Sequence, residues 1–241
     1  MSNILIIVGS NSSVLKGFKP NKKYKKILTA NRKEHSEKNY EATNIVFDLL
    51  SQSNDSEQKI ISFLKNIDFE NLDIIFSSYC SIGLRHYDSE DEVNMGLSAN
   101  IRKPLTLFTL ISEEFPDKNI NGIFISSIYS KISPNKNNYE KDIDINPLFY
   151  GASKAAVNQG LKWLSTRNIK HKFNSIILGP MPKENVLKNQ EYLVNNLTKS
   201  MPSQNFISLK EVNNTINFIL DLSGDNLRGS SIVLDGGYTI W

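Results

Sequence analysis

Cysteine and histidine are scarce in this sequence: Cys80 is the only cysteine, and the three histidines are far apart. A disulfide framework and a cysteine-based zinc site are therefore excluded, and we expect no metal site. The longest apolar runs, such as Ile4–Val8, have about five residues, whereas a membrane-spanning helix needs about 20. That run also lacks the basic segment and the cleavage site of a signal peptide. We expect a cytoplasmic protein with no membrane partner.

Glycine and net charge are low as well. Only 12 of the 241 residues are glycine, which is about 5% of the chain where roughly 7% is usual. Lysine and arginine number 28 against 25 acidic residues, so the formal net charge is +3. The positive charges are spread along the chain and form no basic face with interleaved aromatic residues, so we expect no nucleic-acid partner.

Short aliphatic runs alternate with amphipathic segments along the chain. Runs that are apolar on both faces are typical of parallel strands covered by helices. They lie at Ile4–Val8, Lys26–Thr29, Thr43–Phe47, Asp73–Phe76, Gly122–Ile125, Phe173–Leu178 and Ser231–Leu234. Helical spacing of apolar residues predicts helices over Asp55–Asn66, Val93–Glu114, Tyr150–Arg167 and Leu209–Leu222. We predict one α/β domain over residues 1–241, with a doubly wound, seven-stranded parallel sheet.

Two segments, residues 130–149 and 181–206, are irregular and rich in proline and polar residues. Loops of this length in a single domain are often functional. Both segments follow predicted strands, so they should lie at the carboxyl edge of the sheet, where doubly wound folds bind ligands. We therefore expect them to act as lids over a binding site.

The most informative segment is Tyr150-Gly151-Ala152-Ser153-Lys154, at the start of a predicted helix. A spacing of four places Tyr150 and Lys154 on the same helix face. A nearby cation favours phenolate and would lower the pKa of Tyr150 toward neutrality. Such a phenol can donate a proton to a carbonyl or remove one from an alcohol. By itself, however, the pair is also compatible with an ordinary tyrosine and lysine on a helix surface.

Three further segments occur in order around this pair. Ile123–Ser127 is a strand that ends in two serines, Asn174–Met181 is a strand that ends in Gly-Pro, and Leu234–Tyr238 contains Asp-Gly-Gly. Together with the Tyr-Lys pair, these segments resemble the short-chain dehydrogenase/reductase family over about residues 3–241. The resemblance implies a Rossmann-like fold and an NAD(P)-dependent oxidoreductase that interconverts a carbonyl and an alcohol.

The resemblance also implies individual roles. Tyr150 would be the general acid/base, Lys154 would lower its pKa and bind the nicotinamide ribose, and Ser127 would hold the substrate oxygen. Asn100 stands where the family has a helix asparagine that anchors a water in the proton relay; Asn94 is the rival, and the apolar run after Asn100 favours Asn100. The alternatives are that Ser127 only caps backbone groups and that Asn100 is only a polar helix residue.

The distance between Ser127 and Tyr150, 23 positions, is longer than is typical of the family. The extra loop, with Tyr139 and Glu140, and the terminal segment 235–241 are similar to reductases of bacterial surface-sugar pathways, of the flagellin-glycan and legionaminic-acid type. That similarity implies a polar small-molecule substrate, a sugar or a nucleotide-sugar. The family resemblance further implies a homodimer or homotetramer.

The cofactor end departs from the family pattern. The family carries Thr-Gly-x-x-x-Gly-x-Gly after its first strand, where glycines let the backbone approach the pyrophosphate. Here Gly9 is kept, but Ser13 and Leu15 stand at the second and third glycine positions. Where the family has Asn-Asn-Ala-Gly, this chain has Ser77-Ser78-Tyr79-Cys80, whose last two residues we expect to crowd the adenine-ribose side.

Two interpretations of the cofactor end stay open. In the first, the cofactor still binds, through Gly9, Ser10, Ser12, Ser13, Arg32, Asp48, Ser78, Lys154, Gly179 and Pro180. Arg32 would meet a 2′-phosphate and no acidic residue stands beside it, which favours NADP(H) over NAD(H). In the second, the chain is a non-catalytic partner subunit, and the side chains of Ser13 and Leu15 fill the turn. A reductase of the 3-oxoacyl-acyl-carrier-protein type is an alternative enzyme, which an apolar pocket under residues 181–206 would support.

Overall fold

A single parallel sheet organises the computed structural model, which describes residues 2–32, 42–142, 145–222 and 224–240. Within these residues the strands are β1 Asn3–Val8, β2 Lys26–Asn31, β3 Thr43–Val46, β4 Asn71–Phe76, β5 Asn119–Ser127, β6 His171–Leu178 and β7 Ser231–Leu234. Their order across the sheet is β3-β2-β1-β4-β5-β6-β7, and every neighbouring pair is parallel. The predicted doubly wound, seven-stranded parallel sheet is confirmed.

The strands begin earlier than their aliphatic runs because asparagines occupy the amino edge. Asn3, Asn71 and Asn119 are paired across β1, β4 and β5. The Asn71 amide donates to the Asn3 side chain at 3.0 Å, and the Asn119 amide donates to the Asn71 side chain at 3.0 Å. We call these three residues the asparagine ladder; it extends each strand at a position where the apolar pattern alone stops.

The helices in the described part of the chain are α1 Asp55–Lys65, α2 Glu90–Leu97, α3 Lys103–Glu114, α4 Leu148–Leu164, α5 Glu184–Asn189, α6 Glu191–Lys199 and α7 Leu209–Asp221. The helix predicted over 93–114 is divided: a π turn over Ser98–Arg102 joins α2 to α3. It also begins before Val93, because Ser89 and Glu92 form a capping box that starts α2 at Glu90.

The two faces of the sheet are covered unequally. Helices α1, α3 and α4 pack on one face, where their aliphatic residues meet the even-numbered positions of β1, such as Ile4 and Ile6. On the other face, α7 is joined by a 3₁₀ turn at Ser13–Leu15 and by Phe18. The segment after β1 therefore contributes side chains to the core but no long helix.

The segments predicted as lids pack against each other. The first contains a 3₁₀ turn at Lys136–Asn138, and the second contains α5 and α6. The Tyr192 hydroxyl on α6 donates to the Asn137 carbonyl at 3.1 Å, and the Asn138 amide donates to the Tyr238 hydroxyl at 2.9 Å. Positions 143 and 144 of the loop between Ser127 and Tyr150, and position 241 of the terminal segment, lie outside the described residues.

Among the residues that the structure describes, no helix combines the length and the apolar character needed to cross a bilayer. The same residues hold no group of three or more histidine, cysteine, aspartate or glutamate side chains that could bind a metal ion.

Candidate functional site

The candidate site lies at the carboxyl edge of the sheet, beside the point where the strand order reverses between β1 and β4. Doubly wound folds bind ligands in the crevice at this point. Gly9 follows β1 and Ser77 follows β4, and the two segments touch: the hydroxyls of Ser12 and Ser77 are 2.8 Å apart. The polar residues that follow β1, β4, β5 and β6 therefore converge on one crevice.

Close packing of α4 on the end of β5 brings Tyr150 to Ser127. Ser127 is the last residue of β5, and Tyr150 is in the first turn of α4. A Cβ at Gly151 would lie 2.4 Å from the Tyr129 carbonyl oxygen, so only glycine allows this approach. The Ser127 hydroxyl is near enough to the Tyr150 phenol to lower its pKa, against the effect of burial. The two predicted residues, Tyr150 and Ser127, therefore lie side by side.

Burial raises the pKa of Tyr150 above its ordinary value, and the nearby Tyr79 phenol raises it further, while the Ser127 hydroxyl acts in the opposite direction. The expectation of a lowered Tyr150 pKa was therefore wrong. The reason is distance: the Lys154 ammonium lies 6.0 Å from the centre of the Tyr150 ring. Its attraction does not outweigh the loss of water around the phenol.

Lys154 is 6% exposed, and its ammonium lies inside the protein. It donates to the Ile125 carbonyl at 3.1 Å and lies 4.5 Å from the centre of the Phe124 ring. Burial lowers the pKa of Lys154 to about 8. An ammonium has three donors, and the Ile125 carbonyl is its one hydrogen-bond acceptor within the described residues. Two donors are therefore left for a ligand.

Asn100 lies in the π turn, and its side chain holds the backbone after β4. Its amide oxygen accepts from the Cys80 N–H at 2.8 Å, and its amide nitrogen donates to the Cys80 carbonyl at 2.8 Å and to the Gly96 carbonyl at 2.9 Å. The rival Asn94 is exposed on α2. Of the two candidates, Asn100 is the one whose side chain is buried next to the crevice. π turns inside α-helices are frequent at functional sites.

The two bulky residues after Ser78 do not lie as expected. The Tyr79 ring meets the Tyr150 ring edge-on, with centroids 5.9 Å apart, and is 54% exposed. Cys80 is buried, and its sulfur accepts from the Ile82 N–H at 3.4 Å. The expected crowding of the adenine-ribose side is corrected for both residues, because one ring leans toward Tyr150 and the other side chain turns into the protein.

Sequence reasoning missed Tyr129, which lies on another side of Tyr150 with ring centroids 6.4 Å apart. Its hydroxyl is 3.0 Å from that of Tyr139, which also accepts from the Asn146 amide at 3.1 Å. A polar chain thus runs from the extra loop toward the candidate catalytic tyrosine. The available signal was the position of Tyr129, two residues after Ser127.

The turn after β1 keeps one glycine for a clear reason. Gly9 has a φ of +79°, and a Cβ there would lie 2.8 Å from the Ser77 carbonyl oxygen and 3.1 Å from the Ser78 Cβ. The Ser10 hydroxyl accepts from the Asn31 amide at 2.9 Å, which ties the turn to the end of β2. Ser10, Ser12 and Ser78 are thus gathered around the crevice by contacts among the ends of β1, β2 and β4.

The two residues at the missing glycine positions have different surroundings. Leu15 is 3% exposed and packs in the core with Leu5, Ile7 and Phe18. Ser13 is exposed. The third glycine of the family turn serves close packing of a helix on the strand, and here a three-residue 3₁₀ turn replaces that helix. The space that a longer helix would fill is taken by Leu15, so the turn is not filled by its side chain.

The remaining predicted cofactor residues lie at other strand ends of the same edge. Arg32 is exposed just after β2, and Asp48 is exposed after β3, where its carboxylate accepts from the Leu50 N–H at 2.9 Å. Gly179 and Pro180 follow β6. A Cβ at Gly179 would lie 2.6 Å from the Asp235 Cα, so this glycine lets the segment after β7 pack closely.

The Asp-Gly-Gly segment has a structural role at this edge. The Asp235 carboxylate is buried and accepts from the Gly237 N–H at 2.9 Å, and from the Thr239 N–H and hydroxyl at 2.9 and 2.7 Å. It closes the turn that places Tyr238 against the extra loop. The Asp-Gly-Gly segment therefore holds Tyr238 against the extra loop, and its hydrogen bonds within the described residues reach none of the candidate catalytic residues.

Solved structures of the same fold come from short-chain dehydrogenases. One is a short-chain dehydrogenase from Leptospira borgpetersenii serovar Hardjo-bovis with bound NAD+, with a TM-score of 0.79, 15% identity, and coverage of 99% of this chain and 93% of that chain. A mutant 4-hydroxyisoleucine dehydrogenase complexed with NADH and succinate has a TM-score of 0.80, 16% identity and 99% coverage of both chains. A short-chain dehydrogenase family protein from Francisella tularensis has a TM-score of 0.75 and 19% identity over the whole of both chains.

No protein-family model matches the sequence, and no curated protein matches it either. At identities below 20%, the likeness to the solved structures shows a shared fold. It shows that this chain has the Rossmann fold of those solved short-chain dehydrogenases.

Proposed function

We propose that this protein is an NAD(P)(H)-dependent oxidoreductase that reduces a carbonyl to an alcohol at Tyr150. The observation that carries the proposal is the close packing of α4 on the end of β5, which places Tyr150 near Ser127 and near the buried ammonium of Lys154. Two separate segments, β5 and α4, bring these groups together at the ligand-binding edge of the sheet. The NAD+ and NADH bound to proteins of the same fold support a nicotinamide cofactor.

The residues present fit such a cofactor. Lys154 has two donors to spare for ribose hydroxyls, and the turn from Gly9 to Ser13 is free of the Leu15 side chain. The hydroxyls of Ser10 and Ser12 would contact the pyrophosphate together with backbone amides. When bound, the nicotinamide supplies or accepts a hydride at the substrate carbon.

Tyr150 is suited to give up a proton at neutral pH. Its raised pKa keeps the phenol protonated, so the hydroxyl can donate its proton to the carbonyl oxygen that becomes an alcohol. Ser127 can hydrogen-bond that oxygen, and Lys154, which is positively charged below about pH 8, stabilises the phenolate that remains. This division of roles favours the reductive direction.

The preference for NADP(H) is part of the proposal and rests on Arg32. Its guanidinium is exposed at the end of β2, and the preceding residue there is a buried asparagine rather than an acid. A charge-assisted hydrogen bond contributes about 1.5–3 kcal/mol, so Arg32→Asp should weaken NADPH binding by ~10- to 100-fold and leave NADH binding unchanged or tighter. Fluorescence titration of the two nucleotides measures this. The matched control Arg167→Asp lies after α4, at the opposite edge; equal losses for both nucleotides would contradict the assignment.

A polar, sugar-like substrate is the finer part of the proposal. The extra loop presents hydroxyl and amide groups of Tyr139 and Asn146 toward Tyr129 and Tyr150. A ligand rich in hydroxyls would find donors and acceptors there, which an acyl chain would leave unpaired. We therefore favour a keto-sugar or nucleotide-sugar over a substrate of the acyl-carrier type.

Binding and turnover test the function separately. NADPH at millimolar concentration should raise the melting temperature, as a ligand of the native state does. Tyr150→Phe should keep that shift but lower turnover of a responsive carbonyl from a keto-sugar panel by roughly 100-fold, while the control Tyr87→Phe, on an exposed ring, should retain both. Absence of a shift with NADPH and with NADH would rule out the oxidoreductase and favour a non-catalytic subunit.

A further inference from the structure

The π turn that carries Asn100 also grips the segment between β3 and α1. Arg102, its last residue, donates to the Ser51 carbonyl at 3.4 Å, the Gln52 carbonyl at 3.1 Å and the Asn54 side chain at 2.9 Å. Its Nε also donates to the Ser98 hydroxyl at 2.9 Å, within the turn. One guanidinium therefore fastens three residues of a distant loop to the turn.

Lys103, the next residue, makes a second attachment inside the protein. Its ammonium lies 3.1 Å from the Glu57 carboxylate and 2.5 Å from the Ser53 carbonyl, and the side chains of Lys103 and Glu57 are both 0% exposed. The other Glu57 oxygen has no hydrogen-bond partner among the residues that the structure describes. A buried ion pair with an unsatisfied oxygen is a poor source of stability, so a positional role explains it better.

The opposite side of the same turn holds the candidate catalytic half. Asn100 binds both backbone polar groups of Cys80, and the preceding residue, Tyr79, rests against Tyr150. Residues 51–54 lie instead on the side of the site where the cofactor is expected, because they follow β3 and the predicted cofactor residue Asp48. The π turn therefore connects the loop after β3 to the loop after β4, through Arg102 on one side and Asn100 on the other.

We propose that Arg102 and Lys103 are positioning residues that clamp the π turn to residues 51–54, so that Asn100 holds the Cys80 backbone in place. The clamp makes the adenosine side and the proton-transfer side of the site one rigid unit. The effect of the clamp on catalysis rests on the proposed function. The effect of the clamp on the position of the Cys80 backbone does not depend on that function.

Amide hydrogen exchange at Cys80, read by NMR on the ligand-free protein, tests the clamp. Asn100→Ala removes the acceptor of the Cys80 N–H and sets the fastest exchange expected. Arg102→Gln, and the paired change Glu57→Leu with Lys103→Met, should each speed Cys80 exchange at least tenfold. Arg102→Lys, which keeps the charge, should restore part of the protection. The paired hydrophobic change is chosen because it removes both buried charges together and so preserves folding.

The control is Lys65→Met with Glu114→Leu, because that exposed ion pair also joins α1 to α3, at 2.6 Å. It should leave Cys80 exchange unchanged. The proposal is overturned if the clamp variants keep native protection at Cys80, if they speed core amides such as Ile75 by the same factor, or if Asn100→Ala itself has no effect. Because no cofactor is added, these results can be read whether or not the protein is an oxidoreductase.

Discussion

At the scale of single residues, the buried ammonium of Lys154 lowers the stability of the folded protein. Lys154 holds a charge inside the protein with one carbonyl and one aromatic ring as compensation, and burial lowers its pKa to about 8. A group with this shift destabilises the folded state at every pH below about 8. The cost disappears as the pH rises toward the ordinary pKa of lysine, since the unfolded chain then loses its proton too.

Lys154→Met should therefore stabilise the protein while removing turnover. At pH 7 we expect the free energy of unfolding to rise by about 1–2 kcal/mol, because the desolvation penalty exceeds the lost hydrogen bond to Ile125. The gain should shrink between pH 8 and pH 10.5. Urea unfolding at several pH values measures it, with Lys162→Met on the exposed face of α4 as the control. A Lys154→Met protein less stable than the native one at pH 7 would contradict this account.

At this scale the sequence could predict which residues form the candidate site, but not how deeply they are buried or what they contact. Spacing and order singled out Tyr150, Lys154 and Ser127, and the structure places them together. The direction of the Tyr150 pKa shift was wrong, because burial depends on the elements that cover the phenol. The contact of Tyr79 with Tyr150 was not predictable either. It depends on how Asn100 holds the backbone of Cys80, the residue that follows Tyr79.

At the scale of elements, the segment after β1 forms a 3₁₀ turn that fills the core, where the family pattern has a helix. Leu15 and Phe18 cover the sheet face that a longer helix would cover. Aliphatic runs predicted the strands to within a few residues because burial on both faces leaves a continuous apolar signature. The π turn stayed hidden, because its apolar residues continue the helical spacing of α2 and α3.

Glycine at position 15 and glycine at position 13 should affect stability to very different extents. Leu15→Gly removes a buried side chain and should lower the free energy of unfolding by roughly 2–5 kcal/mol, the scale of large-to-small core changes. Ser13→Gly removes an exposed side chain, should cost about 1 kcal/mol or less, and should tighten NADPH binding severalfold by letting the backbone approach the phosphate. Urea unfolding and nucleotide titration measure the two effects, with Ser13→Ala as the intermediate case. Equal stability losses at both positions would refute the core-filling role of Leu15.

At the scale of the whole molecule, one polar cluster interrupts the face of the sheet under α7. Asp73 in β4 is buried, accepts from the Tyr24 hydroxyl at 2.8 Å and lies 3.3 Å from the Lys22 ammonium. Burial raises the pKa of Asp73, although Lys22 and the hydrogen bonds from Tyr24, Lys22 and Asn121 act in the opposite direction. The cluster links the segment before β2 to the centre of the sheet.

The raised pKa of Asp73 makes one contribution to the pH dependence of stability. The folded state binds the Asp73 proton more tightly than the unfolded state, so this contribution is complete below the ordinary pKa of aspartate and is lost as the pH rises through the folded value. Asp73→Asn should remove this contribution and increase the free energy of unfolding at pH 8 more than at pH 4. Denaturant unfolding at both values checks it, with the exposed Asp225→Asn as the control. A variant that loses stability more at pH 8 than at pH 4 would show that the ion pair with Lys22 dominates.

The asparagine ladder has a consequence for how the chain folds. β1, β4 and β5 are far apart in sequence, and parallel pairing over such separations is slow because chain entropy is lost before contacts form. Their central residues are almost uniformly aliphatic, so apolar contacts alone discriminate weakly between neighbouring registers. A slip of one residue would separate Asn71 from both of its amide partners. The asparagine ladder thus favours the correct strand register while the sheet assembles.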